Sequence, residues 1–99
     1  MSRPVPPRVT SAAATIGDQL VAWRKLQGLT AAQVADRAGI ARATLRRIET
    51  GDPGVSFAAF LGVARALGVL DAVVRATDAY ETDLGRARAD EILPKRVRQ

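Results

Sequence analysis

The sequence predicts an all-α protein built on five helices. Three observations predict it. Apolar residues recur at three- and four-residue spacing through the middle of the chain. Glycines (Gly28, Gly39, Gly51, Gly68) stand where each recurrence ends. No β-type alternation of apolar and polar residues runs between Thr15 and Thr77.

The opening SRPVPPRVTSAAA carries three prolines and two arginines without a helical period. Residues 1–14 are therefore expected to form an extended, flexible basic arm, either a disordered end or a segment that reaches along a groove. Thr15-Ile-Gly-Asp18 has the outline of a capping box. It would open a first helix with Ile16, Leu20 and Trp23 at helical spacing, closed by Gly28. Thr30-Ala-Ala-Gln33 is a second such box, opening a short helix whose Val34, Ala35 and Ala38 face inward. A sharp turn at Gly39 leads to a third helix from Ala41 to Thr50, ended by Gly51, and Asp52-Pro53-Gly54 makes a loop. Ser56 caps a fourth helix with Phe57, Phe60, Leu61, Ala64 and Leu67 as its apolar face. A fifth spans Val69 to Ala76, with Val69, Val73 and Leu70 as candidates for burial. The globular domain is thus expected over residues 15–77. A charged extension follows over 78–99, with a short helix near Thr82 to Glu91.

Composition narrows the chemistry. Ninety-nine residues, 47% of them hydrophobic and few aromatic, suit one small helical core but no deep enclosed substrate cleft. Cysteine and histidine are both absent, which excludes disulfides, thiol catalysis, zinc-finger sites and histidine acid–base chemistry. No pair of acids lies in an apolar pattern, so neither enzymatic activity nor a cofactor or metal is expected. No apolar stretch is long enough to span a membrane, and no signal peptide opens the chain, so a cytoplasmic protein is expected. Fifteen basic against ten acidic side chains give a net charge of +5, a balance that favours polyanionic partners.

Three arginines, Arg42, Arg46 and Arg47, fall within six residues of AGIARATLRRIETG, Ala38 to Gly51. Two short helices joined at a glycine form the arrangement that places a second helix in the DNA major groove. Ile40, Leu45 and Ile48 would fix that second helix to the core. Arg42, Ala43, Arg46 and Arg47 are left to point elsewhere, with the arginines presenting planar donor forks.

The run GLTAAQVADRAGIARATLRRIETG (Gly28 to Gly51), followed by SFAAFLGVARALGV (Ser56 to Val69), resembles the phage-repressor family of helix–turn–helix domains, also called XRE or Cro-like. The resemblance implies a lambda-repressor-like bundle that binds double-stranded DNA. Arg42 and Arg47 would face base edges, and Ala41 and Ala43 would meet thymine methyls or allow close approach. Thr44 and Arg46 would lie nearer phosphates, with Thr30 and Gln33 contributing from the supporting helix. It also implies an ion pair between Arg24 and Glu49 that braces the first helix against the reading helix, a DNA role for Arg24 being the alternative. Two departures stand out. Ala31 replaces the family's usual DNA-touching glutamine, and Ala41, a poor cap, replaces the usual serine. A homodimer on an inverted-repeat operator is expected, because one reading helix buries too little and two sit about one helical turn apart. Leu70, Val73, Val74 and Tyr80 are interface candidates, with intramolecular core as their other reading.

The closing ETDLGRARADEILPKRVRQ, Glu81 to Gln99, is similar to the ends of HipB-type antitoxins, which pair with HipA-like kinase toxins. That likeness implies a toxin partner and autoregulation of a shared operon. Leu84, Ile92 and Leu93 would be apolar anchors, joined by Arg86 and Arg88. A solvated basic tail that adds DNA affinity through counterion release is the plainer reading. A stand-alone regulator without a toxin, or a protein-binding module that never reads DNA, are the competing functions.

Overall fold

The computed structural model describes residues 3–89 and Glu91. These form six α-helices and one 3-10 turn, with no strand among them. Helix α1 spans Pro7–Leu26, α2 Ala31–Ala38, α3 Arg42–Glu49, α4 Phe57–Leu67, α5 Leu70–Ala76 and α6 Asp83–Ala87. The 3-10 turn covers Ala79–Glu81.

The first correction concerns the start of the chain. Helix α1 begins at Pro7, so most of the expected extended arm is helical, and Thr15 to Asp18 lie mid-helix rather than at a cap. Pro7 occupies the first turn, where an amide proton would be unpaired anyway and proline's fixed φ suits the helix. Ala12, Ala13 and Ala14 carry the strongest helix propensity of any residue, which sustains the turns that follow.

The capping signals of the next helices are met by geometry. Gln33 N donates to Thr30 Oγ1 at 3.1 Å, and Thr30 N donates to Gln33 Oε1 at 2.9 Å, a reciprocal box at the start of α2. Ala59 N donates to Ser56 Oγ at 3.0 Å at the start of α4. Gly39 ends α2 at φ +70°, in the left-handed region that a side chain resists.

Leu20, Val34, Ala35, Leu45, Ile48, Ala59, Val63 and Leu67 form one buried cluster, drawing on α1 to α4. Leu45, Val34 and Val63 are its fully enclosed side chains. Helix α5 has no buried residue: Val69, Leu70 and Val73 are only partly covered. A second correction concerns Ile16, Trp23 and Phe57, which helical spacing assigned to inward faces. They are 41%, 46% and 72% exposed. They rim an apolar trough of about 820 Å³ between α1, α4 and α5, which Phe60, Val73 and Val74 also line.

Side chains lock the helices where packing alone is thin. Gln27 Nε2 donates to Leu67 O at 2.7 Å, tying the end of α1 to the end of α4. Arg65 Nη2 donates to Arg37 O at 3.0 Å, which satisfies a carbonyl in the last turn of α2. Beyond α5, Asp78 and Thr82 cap the 3-10 turn and α6 in succession. Arg86 Nη1 donates back to Tyr80 O at 3.0 Å, so the extension folds onto itself. The short helix expected near Thr82 to Glu91 is present as α6, ending at Ala87.

Candidate nucleic-acid interface

Helix α3 is amphipathic, and its two faces do different work. Leu45 and Ile48 are buried, 1% and 5% exposed, and Ile40 packs against the same cluster. At about 100° per residue, the outward side chains run around the axis in the order Arg42, Arg46, Ala43, Arg47. Arg42 and Arg47 therefore stand about 140° apart. Arg46 lies between these two expected base readers rather than beside them, and Ala43 leaves a low point at the middle of the face.

The helix is held from behind by a close backbone approach and an ion pair. Gly17 of α1 is buried where it crosses α3; a Cβ there would meet Ile48 O at 2.6 Å and Glu49 O at 2.7 Å. About two turns further along α1, Arg24 Nε donates to Glu49 Oε2 at 2.8 Å, with Nη2 reaching Oε1 at 3.4 Å. Both side chains are mostly covered, at 16% and 14% exposure. Arg24 Nη1 also donates to Leu29 O at 3.2 Å, which anchors the turn into α2. The guanidinium is committed on three sides and faces the protein.

Arg42 and Arg46 carry no ion pair or side-chain hydrogen bond among the described residues. Together with Ala31, Ala43, Glu49 and Thr50 they bound a surface hollow of about 630 Å³ between the start of α2 and the outer face of α3. Ala41 provides no side-chain cap, so the first amides of α3 are left without an intrahelical or capping acceptor. They stand at the positive end of the helix dipole, a favourable place for an anion. At the start of α2, Thr30 accepts through its hydroxyl oxygen and Gln33 through its carbonyl. The Thr30 hydroxyl proton and the Gln33 amide protons therefore remain available as outward donors. Thr44 is half-buried and Ala41 exposed at the near edge of α3.

Arg47 differs from its neighbours. Its Nε donates to Asp52 Oδ2 at 2.7 Å, an exposed pair that sequence reasoning missed. The Arg47 hydrogen bond, reinforced by the Gly54 amide, holds the Asp52 carboxyl below its ordinary value of 3.8. A trace was present in the sequence: Asp-Pro-Gly is an Asx-turn pattern, and it begins five residues after Arg47.

Of the residues expected in the extension, Leu84 is 68% exposed and Arg88 is exposed. Arg86 is turned back to Tyr80 and lies 3.6 Å from Asp83. Ile92 and Leu93 lie outside the described residues. None of these is brought next to α3 by a hydrogen bond or ion pair among the described residues.

No cluster of three metal-ligating side chains occurs among the described residues, and no helix there is long and apolar enough to cross a membrane. Neither a curated protein nor a solved structure matches the chain. A family model described as a helix-turn-helix domain matches residues 15–89, from mid-α1 through α6. With α2, the Gly39 turn and α3 in the arrangement described above, the chain belongs to this family of helix-turn-helix domains.

Proposed function

We propose that the protein is a sequence-specific DNA-binding transcriptional repressor of the cytoplasm that acts as a homodimer on an inverted repeat. One observation carries the reading. Helix α3 is fixed by buried aliphatic residues, Gly17 and the Arg24–Glu49 brace, while Arg42, Arg46 and Arg47 surround Ala43 on its outer face with no part in packing. Such a face fits a major groove: small at its centre, cationic at its rim, and rigidly mounted. Arg42 and Arg47 are proposed to read base edges and Arg46 to meet phosphate. Ala41, Ala43 and Thr44 are proposed to line the contact, and Thr30 and Gln33 to donate to the backbone at the start of α2. The apolar trough, with Leu70 and Val73 in its wall and Val74 60% exposed, lies away from these arginines and supports pairing of two copies through α5. Tyr80 is the fourth candidate for that contact.

The test is binding of labelled duplexes, selected from a randomised double-stranded pool, across a range of salt. Preference for one sequence over bulk DNA and a steep fall of affinity with salt are expected. Absence of preference, with flat salt dependence, would identify instead a protein-binding module.

A second reading assigns the protein as the antitoxin of a HipA-like kinase toxin that autoregulates the shared operon. The likeness of residues 81–99 to HipB-type ends favours it, together with the exposure of Leu84 on α6. Replacing Leu84, Ile92 and Leu93 by serine should abolish capture of a kinase encoded next to this chain and leave operator binding intact. Loss of operator binding alone would leave a stand-alone regulator.

A further inference from the structure

We infer that Asp52 is a positioning residue for Arg47, fixing the guanidinium for end-on contact with a base and trading general DNA attraction for sequence discrimination. The inference rests on the DNA-binding reading of α3.

Two contacts join Arg47 to Asp52, and a third holds Asp52 within its own turn. Asp52 N donates to Arg47 O at 2.8 Å, so the backbone of Asp52 closes the end of α3 against Arg47 itself. Asp52 Oδ2 accepts from Arg47 Nε at 2.7 Å, and Oδ1 accepts from Gly54 N at 2.8 Å. The carboxylate is therefore held on both oxygens, one by the turn and one by the arginine. Gly51 makes the turn possible at φ +85°; a Cβ there would also meet Ala14 Cα at 2.6 Å. Asp52 is thus placed by a backbone path that only glycine follows easily, rather than by a flexible loop.

The consequence for Arg47 is geometric. A long arginine side chain samples many rotamers in water and loses that freedom on binding. With its Nε edge occupied, Arg47 keeps Nη1 and Nη2 as the remaining donors, a coplanar pair suited to two acceptors such as guanine O6 and N7. The chain thus holds one guanidinium in place before any partner arrives. Arg42 and Arg46, without ion pairs among the described residues, have no such restraint there. The Asp52 charge also works against phosphate: beside a duplex it is repelled and partly cancels Arg47 at long range. A residue serving only to strengthen DNA binding would not be an acid at this place. A residue that orients a reader would be, because orientation favours the correct base and the charge weakens every sequence equally.

Asp52→Asn isolates the contact. Asparagine keeps an acceptor oxygen for Gly54 N and preserves the turn, but presents an amide NH2 where Arg47 Nε needs an acceptor. The experiment compares the wild-type chain, Asp52→Asn, Arg47→Ala and the double variant. The probes are the consensus duplex that wild type selects from a randomised double-stranded pool, and sonicated bulk DNA. Circular dichroism verifies that each variant is folded. Asp52→Asn is expected to bind bulk DNA more tightly than wild type, while its consensus-to-bulk ratio falls by roughly fivefold or more. Arg47→Ala should lower the ratio as well, and adding Asp52→Asn to it should lower it no further. If Asp52→Asn tightens both probes by the same factor, Asp52 is only a repulsive charge and the inference is overturned while DNA reading stands. If wild type itself selects no consensus, the DNA reading fails and the inference falls with it.

Discussion

Gly17→Ala sets two effects of known sign against each other. Gly17 lies inside α1, where alanine favours the helix by about 1 kcal/mol over glycine. Propensity alone therefore predicts a more stable protein. The new methyl, however, would stand 2.6 Å from Ile48 O and 2.7 Å from Glu49 O. Close C–H···O contacts begin near 3.3 Å, so α1 and α3 must part by roughly 0.7 Å. Neither neighbour yields easily. Ile48 O accepts from Gly51 N at 3.1 Å, and Glu49 is drawn toward α1 by Arg24. Leu20 and Ile48, on the same two helices, would lose contact as the helices separate. Overpacking of this kind costs about 1–3 kcal/mol, and backbone neighbours place it in the upper part of that range. The expected net is a loss of about 1–2 kcal/mol, or roughly 5–15 °C in Tm for a domain of this size. Gly62→Ala is the matched control. It sits inside α4, gains the same propensity, and meets Ala38 O at a milder 3.1 Å. Urea unfolding followed by circular dichroism should place Gly17→Ala below wild type and Gly62→Ala near or above it. A Gly17→Ala midpoint equal to or above wild type would refute the close-approach account of the α1–α3 contact.

Glu49→Ala leaves the Arg24 guanidinium mostly covered and without its partner, and should destabilise the fold by about 2–4 kcal/mol in the same assay. A change below about 1 kcal/mol would dismiss the brace and return Arg24 to a DNA role. Arg42→Ala should cost about 1–3 kcal/mol of operator binding and relax selection at one base position, measured by repeating the duplex selection. Arg46→Ala should instead weaken all sequences alike and make the salt dependence shallower; the opposite pattern would exchange the two roles, as the central position of Arg46 on α3 allows. The fifth prediction is a titration. Arg47 and Gly54 stabilise the ionised Asp52, so its folded pKa lies below 3.8, and its contribution is present above the unfolded value and lost as pH falls through the folded one. Arg47→Ala should move the Asp52 carboxyl resonance back up toward 3.8 in an NMR titration, and an unmoved midpoint would show that the turn alone sets it.

The middle of the fold was legible because local and tertiary demands coincide there. The caps Thr30 and Ser56, the turn glycine Gly39 and the inward Val34, Leu45 and Ile48 each depend on neighbours within a few residues or on a periodic stripe. The start of α1 was misread because prolines were counted as breakers, whereas Pro7 at the first turn is a starter. Ile16, Trp23 and Phe57 show what periodicity omits: it marks an apolar stripe without saying whether this chain covers it. Gly17 read locally as part of a cap; only the crossing of α3, some thirty residues on, explains it. The three arginines of the candidate site could be picked out as a group, but their order around the helix follows from where Leu45 and Ile48 point. The attachment of Arg47 to Asp52 depends on the Gly51 turn, a geometry that composition does not encode.

Two arginine–carboxylate pairs flank α3, and their exposure separates their work. Arg24–Glu49, at 16% and 14%, lies between helices, where a lost partner leaves a charge poorly solvated and the fold itself suffers. Arg47–Asp52, at 52% and 38%, stands in water, where ion pairs add little to stability because solvent and salt screen them. Stability therefore gives no physical reason for the tightness with which Asp52 is held by its own turn and by Arg47 Nε. The orienting role inferred for Asp52 supplies such a reason, and it registers in binding when DNA occupies the outer face of α3. Substitutions at the inner pair should accordingly register in unfolding experiments even without DNA. Those at the outer pair should be nearly silent in unfolding and register in the ratio of specific to bulk binding. A variant of Asp52 that unfolded as readily as one of Glu49 would break this division and make the outer pair a structural strut.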